Sequence, residues 1–193
     1  MTRLGLARPD DVLLTTFDLS PRVNEHLDAA RRRARAGGGY VVQLPRNRNV
    51  RWDRGLVAYW EHFGNTIGEE TTAAAVPSIV GNLRLRAVRI RPAAVLSIVP
   101  QDVNVVLQRL DPLPGAERFD AIIATNVLVY YDLFEQSLAL VNLARMLRPG
   151  GFFLSNNALP QLPTIPLKSS GFTTTVYTDR PGDSDRVMWY QRQ

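Results

Sequence analysis

FDAIIATNVLVYYDLFEQSLALVNLARMLRPGGFFLSN, running from Phe119 to Asn156, decides the fold. It opens on Ala121-Ile122-Ile123-Ala124, an apolar, β-branched run of the kind found in strands buried on both faces. Thr125-Asn126 breaks that run, and Val127-Leu128-Val129-Tyr130-Tyr131 follows. Asp132 then begins a helix whose apolar residues, Leu133, Phe134, Leu138, Val141, Ala144 and Leu147, recur at helical spacing and give it one apolar face. Arg145 and Arg148 fall in its last turn, where cations suit the helix dipole, and Pro149-Gly150-Gly151 stops it. Phe152-Phe153-Leu154 reads as a second buried strand. Strand, crossover helix and strand make a βαβ unit, which sets two parallel strands side by side.

Upstream of this unit, Val12 to Phe17 is a β-prone run ending at Asp18. Ser20-Pro21 offers a cap with proline at the first helical position. The helix Arg22 to Ala36 has Val23, Leu27 and Ala30 or Ala34 inward and Arg31, Arg32, Arg33 and Arg35 outward. A carboxylate at the end of a strand, ahead of a helix, is placed to meet the two hydroxyls of a ribose. Asp18 therefore has two readings, a ribose ligand or a solvent-exposed acid at a helix start capped by Ser20. Gly37-Gly38-Gly39 follows a helix instead of linking a strand to one, so it is a helix stop and not a phosphate loop.

The segment from about residue 46 to residue 100 reads as an insert between two strands of the main sheet. Val41 to Leu44 is a short strand ahead of it, and Trp52, Leu56, Trp60 and Phe63 mark an amphipathic helix. That aromatic stripe is either core or a lid. Arg46, Arg48, Arg51 and Arg54 around Asn47, Asn49 and Trp52 form the most basic patch, read as a solvated loop or as a nucleic-acid groove. Leu83 to Arg86 and Val88 to Arg91 alternate as a half-exposed strand or hairpin does. Pro92 ends that run, and Ala93 to Val99 includes a short helical turn. Val103 to Leu107 is the next expected strand, followed by Asp111 and the turn Pro112 to Gly115. After a proline-rich loop, Phe172 to Tyr177 and Arg186 to Tyr190 read as a hairpin of antiparallel edge strands.

Composition narrows the class. A chain of 193 residues, 45% hydrophobic and 21% charged, has the make-up of one soluble domain, taken here as residues 1–193. No apolar run approaches the ~20 residues of a membrane span, and Met1 to Asp11 lacks the apolar core of a signal peptide. The expected address is the cytoplasm, with no membrane partner. Absence of cysteine excludes disulfides and thiolate metal sites, and no metal is expected. The net charge is +5, and Lys168 is the only lysine among 23 basic residues. So complete an arginine bias points to a GC-rich coding sequence more than to a polyanion partner.

The central stretch, FDAIIATNVLVYY then a helix then LRPGGFFLSN, resembles the fourth-to-fifth-strand segment of class I S-adenosylmethionine-dependent methyltransferases. Asn126 to Tyr131, NVLVYY, is especially similar to the chemotaxis-receptor methyltransferase group. The resemblance covers Val12 to Gly39 and Val103 to Tyr190. It implies an α/β fold, a Rossmann-like parallel sheet with helices on both faces and a C-terminal antiparallel hairpin. It also implies S-adenosylmethionine as cofactor, held by Asp18, Leu19, Asp111, Asn126 and Val127. LDPLP followed by ERFD resembles the third-strand end that reaches the adenine amine, giving Asp111 that role; its other reading is a turn-initiating acid before proline. Tyr130 and Tyr131 either line the methyl-transfer pocket or pack under the following helix. His26 and His62 form no catalytic pair with an acid, so no catalytic base is assigned.

The family's glycine-rich cofactor loop has no counterpart ahead of Asp18, where Gly5 is the only glycine. The sheet is therefore expected to be incomplete at its first strand. Three explanations stand: a truncated gene, a split protein whose other chain supplies the strand, or a non-catalytic relative. The expected function is methyl transfer to an unidentified acceptor, protein or small molecule, with weak or absent cofactor binding if the chain is truncated. The alternatives are a non-catalytic interaction protein and, further off, an arginine-rich nucleic-acid-binding module.

Overall fold

A computed structural model describes residues 11–76, 79, 81–111, 118–180 and 182–193. The stretch before Asp11, the turn Pro112 to Gly115 and Pro181 lie outside them. The described chain forms two compact units, Met1–Asp102 and Val103–Gln193. The expectation of one parallel sheet is corrected to three separate sheets, two of them in the first unit.

In the first unit, β1 (Leu14–Phe17) and β5 (Ile98–Gln101) pair in parallel. Between them in sequence come α1 (Pro21–Arg35), β2 (Tyr40–Asn47), α2 (Arg54–His62), β3 (Gly68–Thr71), β4 (Leu83–Ile90) and α3 (Pro92–Leu96). Strands β2, β4 and β3 form an antiparallel sheet in that order. Pro45 sits in β2, which among the described residues pairs only with β4, and an edge strand is where a residue without an N–H does least harm. The glycine run after α1 stops it as expected: Gly37 has φ +77, and the Gly38 N–H donates to the Arg33 carbonyl at 2.9 Å. One face of α1 buries Ala30 and Ala34 against Val95 of α3, with Tyr40, Ile90 and Leu96 beside them. Arg31, expected to face outward, is half-buried and reaches the Leu96 carbonyl at 3.2 Å.

Strand β4 departs from simple alternation. Arg86, Ala87 and Val88 are consecutive and all buried. Arg86 donates to the carbonyls of Trp60 and Phe63 at 3.3 and 2.7 Å, to Asn65 and to Glu70, so a cation anchors the end of α2. Trp60 is the buried member of the aromatic stripe; Phe63 is exposed.

In the second unit, β6 (Phe119–Ala124), α4 (Leu133–Met146) and β7 (Leu147–Ser155) form the expected βαβ unit with parallel strands. Asp132 caps α4 through a reciprocal capping box with Glu135. The buried face of α4 matches the expected one only towards its C-terminal end, where Ala144 and the following Leu147 are buried. Ala139, Leu140, Leu143, Ala144 and Met146 are buried, while Leu133 and Phe134 are 67% and 70% exposed. The helix carries apolar residues on both sides, and periodicity cannot tell which side meets the sheet. Arg148 and the Pro-Gly-Gly run belong to β7, where the pairing register with β6 shifts. Nor is β6 buried on both faces, since Ile123 is 70% exposed. The C-terminal hairpin, β8 (Leu167–Val176) and β9 (Ser184–Arg192), is longer than expected. Of the hairpin's two strands β8 alone is at an edge, for β9 lies between β7 and β8, antiparallel to both.

Candidate cofactor and acceptor site

Parallel pairing of β1 with β5 aligns their C-terminal ends, Phe17 opposite Gln101. The next residue of each strand is an aspartate, Asp18 and Asp102. The Asp18 N–H donates to the Gln101 carbonyl at 3.2 Å, which continues the ladder and holds the two acids on neighbouring chains. Asp18 is half-buried; its Oδ1 accepts the Ser20 N–H at 2.8 Å, and its carbonyl accepts from Asn24 Nδ2 at 2.9 Å. Ser20 makes no side-chain capping bond. Asp18 is thus a strand-end carboxylate that also fixes the start of α1, half-buried and without the cap expected of Ser20. Leu19 follows it and is about half exposed.

The expected strand Val103 to Leu107 is a turn instead, and β5 precedes it. The Asn104 side chain accepts the N–H groups of Val106 and Leu107 at 3.0 and 3.4 Å, closing a turn that extended backbone cannot make. The strand-end position expected for Asp111 therefore belongs to Asp102. Asp111 is engaged by Arg109, whose Nε and Nη2 donate to its Oδ2 at 3.0 and 2.8 Å. Sequence reasoning passed over Asp102 because Pro100 interrupts Ile98-Val99-Pro100-Gln101, while Val103 to Leu107 has the better β composition.

In the second unit the C-terminal ends of β6 and β7 carry asparagines. Ala124 pairs with Ser155, and just beyond them the Asn126 N–H donates to Asn156 Oδ1 at 2.9 Å. Asn156 Nδ2 returns a bond to Asn126 Oδ1 at 2.6 Å. Asn126 has φ +55, a left-handed conformation that asparagine tolerates better than most residues. Val127 leads into a 3-10 turn, Leu128–Tyr130, which Gln136 of α4 ties down through the carbonyls of Leu128 and Tyr131 at 3.1 and 3.0 Å. Tyr130 is 80% exposed and so does not pack under α4; Tyr131 is half-buried. Of the expected site residues, Asp18 and Leu19 belong to the first unit, and Asp111, Asn126, Val127, Tyr130 and Tyr131 to the second.

Of the basic patch near Trp52, Arg46 belongs to the antiparallel sheet, as the cross-strand partner of Arg84, whereas Arg48 and Arg51 lie in the following loop and Arg54 begins α2. The Arg46 guanidinium lies 5.6 Å from the Trp52 ring centre and 5.9 Å from that of Trp60; Arg84 lies 5.3 Å from Trp60. These are cation–π distances between the arginines and the two indole rings. His26 bonds to the Tyr40 hydroxyl at 2.7 Å. Among the described residues no group of three or more acids or histidines is placed to hold a metal ion, and no helix is long and apolar enough to cross a membrane.

Residues 64–155, just under half of the chain, match the family model described as a methyltransferase domain. Among solved structures, the chain is similar to the N-methyltransferase NodS from Bradyrhizobium japonicum WM9 in complex with S-adenosyl-L-homocysteine. That likeness has 17% identity and a TM-score of 0.37, over 50% of this chain and 55% of that one. A second NodS structure matches at 20% identity and a TM-score of 0.35, over 50% of this chain and 60% of that one. The chain thus spans less than two thirds of the length of either structure. No curated protein matches it.

Proposed function

We propose that this chain takes part in S-adenosylmethionine-dependent methyl transfer. The observation that carries the reading is the pair of carboxylates, Asp18 and Asp102, at the aligned C-terminal ends of two parallel strands, where α/β folds bind ligands. The methyltransferase-domain match over residues 64–155 supports it and includes Asp102. Two acceptor groups on neighbouring strands fit a nucleoside, which offers the ribose hydroxyls and an exocyclic amine as donors. Asp18 is assigned the ribose, and Asp102 takes the adenine role that the resemblance gave Asp111. When bound, the cofactor supplies an electrophilic sulfonium methyl group.

The protein's share is to position the reactants and exclude water. In the second unit Asn126 and Asn156, locked to each other, fix the strand ends. The NVLVYY resemblance suggests a protein carboxylate; a small-molecule nucleophile is the other acceptor class. Among the described residues β1 pairs only with β5 and β6 only with β7. A glycine-rich segment on a separate chain that adds a strand beside β1 would complete the cofactor site.

The test is calorimetric titration with S-adenosylhomocysteine. Asp18→Asn, which keeps the capping ability of the side chain, and Asp102→Asn are each expected to weaken binding about tenfold or more. Asp111→Asn is expected to bind like the parent. A flat titration of the cooperatively melting parent chain would rule out cofactor binding by this chain alone.

A further inference from the structure

The second unit contains a cavity of about 430 Å³ that lies outside the Asp18–Asp102 site proposed above. Its walls come from the ends of elements opposite to Asn126 and Asn156. Arg118 immediately precedes β6, Arg145 lies in the last turn of α4 just ahead of β7, and Arg192 ends β9. Arg192 donates to the carbonyl of Leu147, the first residue of β7. Arg109, Asp111, Thr164, Ile165 and Pro166 also line it.

The charge in this cavity is one-sided. Among the described lining residues four arginines, Arg109, Arg118, Arg145 and Arg192, stand against one aspartate, a formal excess of three positive charges over those residues. Asp111 is taken by Arg109, which also reaches the buried Asn142 at 3.3 Å. Asp120, the nearest acid in sequence within β6, pairs with Arg148 at 2.6 Å and does not line the cavity. Among the described residues no carboxylate pairs with Arg118, Arg145 or Arg192. The Nε atoms of Arg118 and Arg192 are buried and without a hydrogen-bond partner. Burial and then the neighbouring Arg118 charge both hold the Arg192 pKa below its usual value, as two unneutralised cations close together require. Buried guanidinium N–H groups left without acceptors cost stability unless an acceptor arrives. Arginine's fixed fork of donors matches the oxygens of phosphate and carboxylate groups.

We propose that this cavity is a binding site for a small, multiply charged oxyanion, an organic phosphate or a polycarboxylate. Its concave form and its volume suit a small molecule, whereas a nucleic-acid strand is bound along an open groove. The site does not depend on the methyl-transfer reading, and S-adenosylhomocysteine is not expected to compete for it.

Calorimetry at low salt with tripolyphosphate, with citrate and with a short single-stranded RNA tests the proposal on the full chain. Tripolyphosphate or citrate is expected to bind at one site per chain, and the stronger of the two identifies the oxyanion class. Arg145→Gln, an exposed side chain whose loss leaves the fold intact, is expected to weaken binding about tenfold, as is Arg118→Gln. Arg180→Gln, outside the cavity, is expected to have no effect. Absence of binding by both small anions overturns the proposal, as does binding of the RNA alone. Equal weakening by Arg180→Gln also overturns it, because that would mark the attraction as a property of the net charge.

Discussion

At the scale of single residues, Arg86 tests how a buried cation is tolerated in the first unit. Its side chain is 5% exposed, and its partners are two carbonyls, Asn65 and Glu70. Glu70 is 66% exposed, so the ion pair itself contributes little. The larger effect lies in the carbonyls of Trp60 and Phe63, which lose their donor if the guanidinium is removed. Arg86→Leu is expected to destabilise the first unit by about 2–4 kcal/mol, read as a shift in the urea midpoint. A change within a few tenths of a kcal/mol would mean that water replaces the guanidinium without cost. The burial of Arg86 was not legible in the sequence, where Leu83-Arg84-Leu85-Arg86 reads as an alternating strand with its arginines in water. Asp18 was legible, since a strand, an acid and a proline-started helix are all local signals. Asp102 was hidden because Pro100 lowers the β-propensity of the strand it follows, although proline is compatible with an edge strand.

At the scale of elements, the two longest helices start differently despite similar sequence signals. Ser20-Pro21 looks like a complete cap, yet the Ser20 hydroxyl makes no capping bond and Asp18 takes the Ser20 N–H instead. Asp132 makes the full capping box, its side chain accepting the Glu135 N–H at 2.8 Å and its own N–H donating to Glu135 Oε2 at 3.0 Å. Asp132→Ala is therefore expected to cost about 1 kcal/mol, and Ser20→Ala less than about half of that. Equal losses in chemical denaturation would show that the Ser20 hydroxyl caps in solution. The Leu-Arg-Pro-Gly-Gly run gives a second prediction. It reads as a helix stop, but the chain enters β7 at once and uses Gly150, φ +75, and Gly151 to shift the register against β6. A Cβ on Gly151 would lie 2.9 Å from the Arg148 carbonyl oxygen and 3.2 Å from those of Phe119 and Asp120. These are backbone atoms, which cannot rotate away. Gly151→Ala is expected to cost about 1–3 kcal/mol, against a few tenths for Ala158→Gly in the nearby loop, by thermal or urea melting. The run was legible as a break in α4 but not as a bulge, because a bulge is defined by the neighbouring strand.

At the scale of the whole molecule, the difference between one sheet and three is a difference in which strands find each other. The βαβ unit of Phe119 to Asn156 was legible because its pairing is nearly local and its crossover is right-handed by rule. Insertion of β9 between β7 and β8 was not, since a hairpin's sequence says nothing about which of its strands meets the sheet. Strand β3, Gly-Glu-Glu-Thr, carries no apolar alternation and forms only because β4 offers it an edge. This pairing pattern predicts where each unit is firmest. Strand β4 is paired on both sides and buries Ala87 and Val88, each 1% exposed. Strand β7 is also paired on both sides and buries Phe153 completely, while β9 buries Tyr190. By contrast, β1 and β5 form a two-stranded sheet of four residues each, an arrangement marginal on its own. The outer strand β8 is exposed along nearly its whole length. Backbone amides of Ala87, Val88, Phe153 and Tyr190 are therefore expected to exchange with deuterium at least about a hundredfold more slowly than those of Thr15, Thr16 and Thr174. The proposed carboxylate pair would then sit on the least protected strands, and saturating S-adenosylhomocysteine should slow exchange at Thr15 and Thr16 selectively, because a ligand stabilises the closed form it binds. Protection of β1 equal to that of β4 in the free protein would place the carboxylate pair on a rigid scaffold and remove the basis for that selective effect.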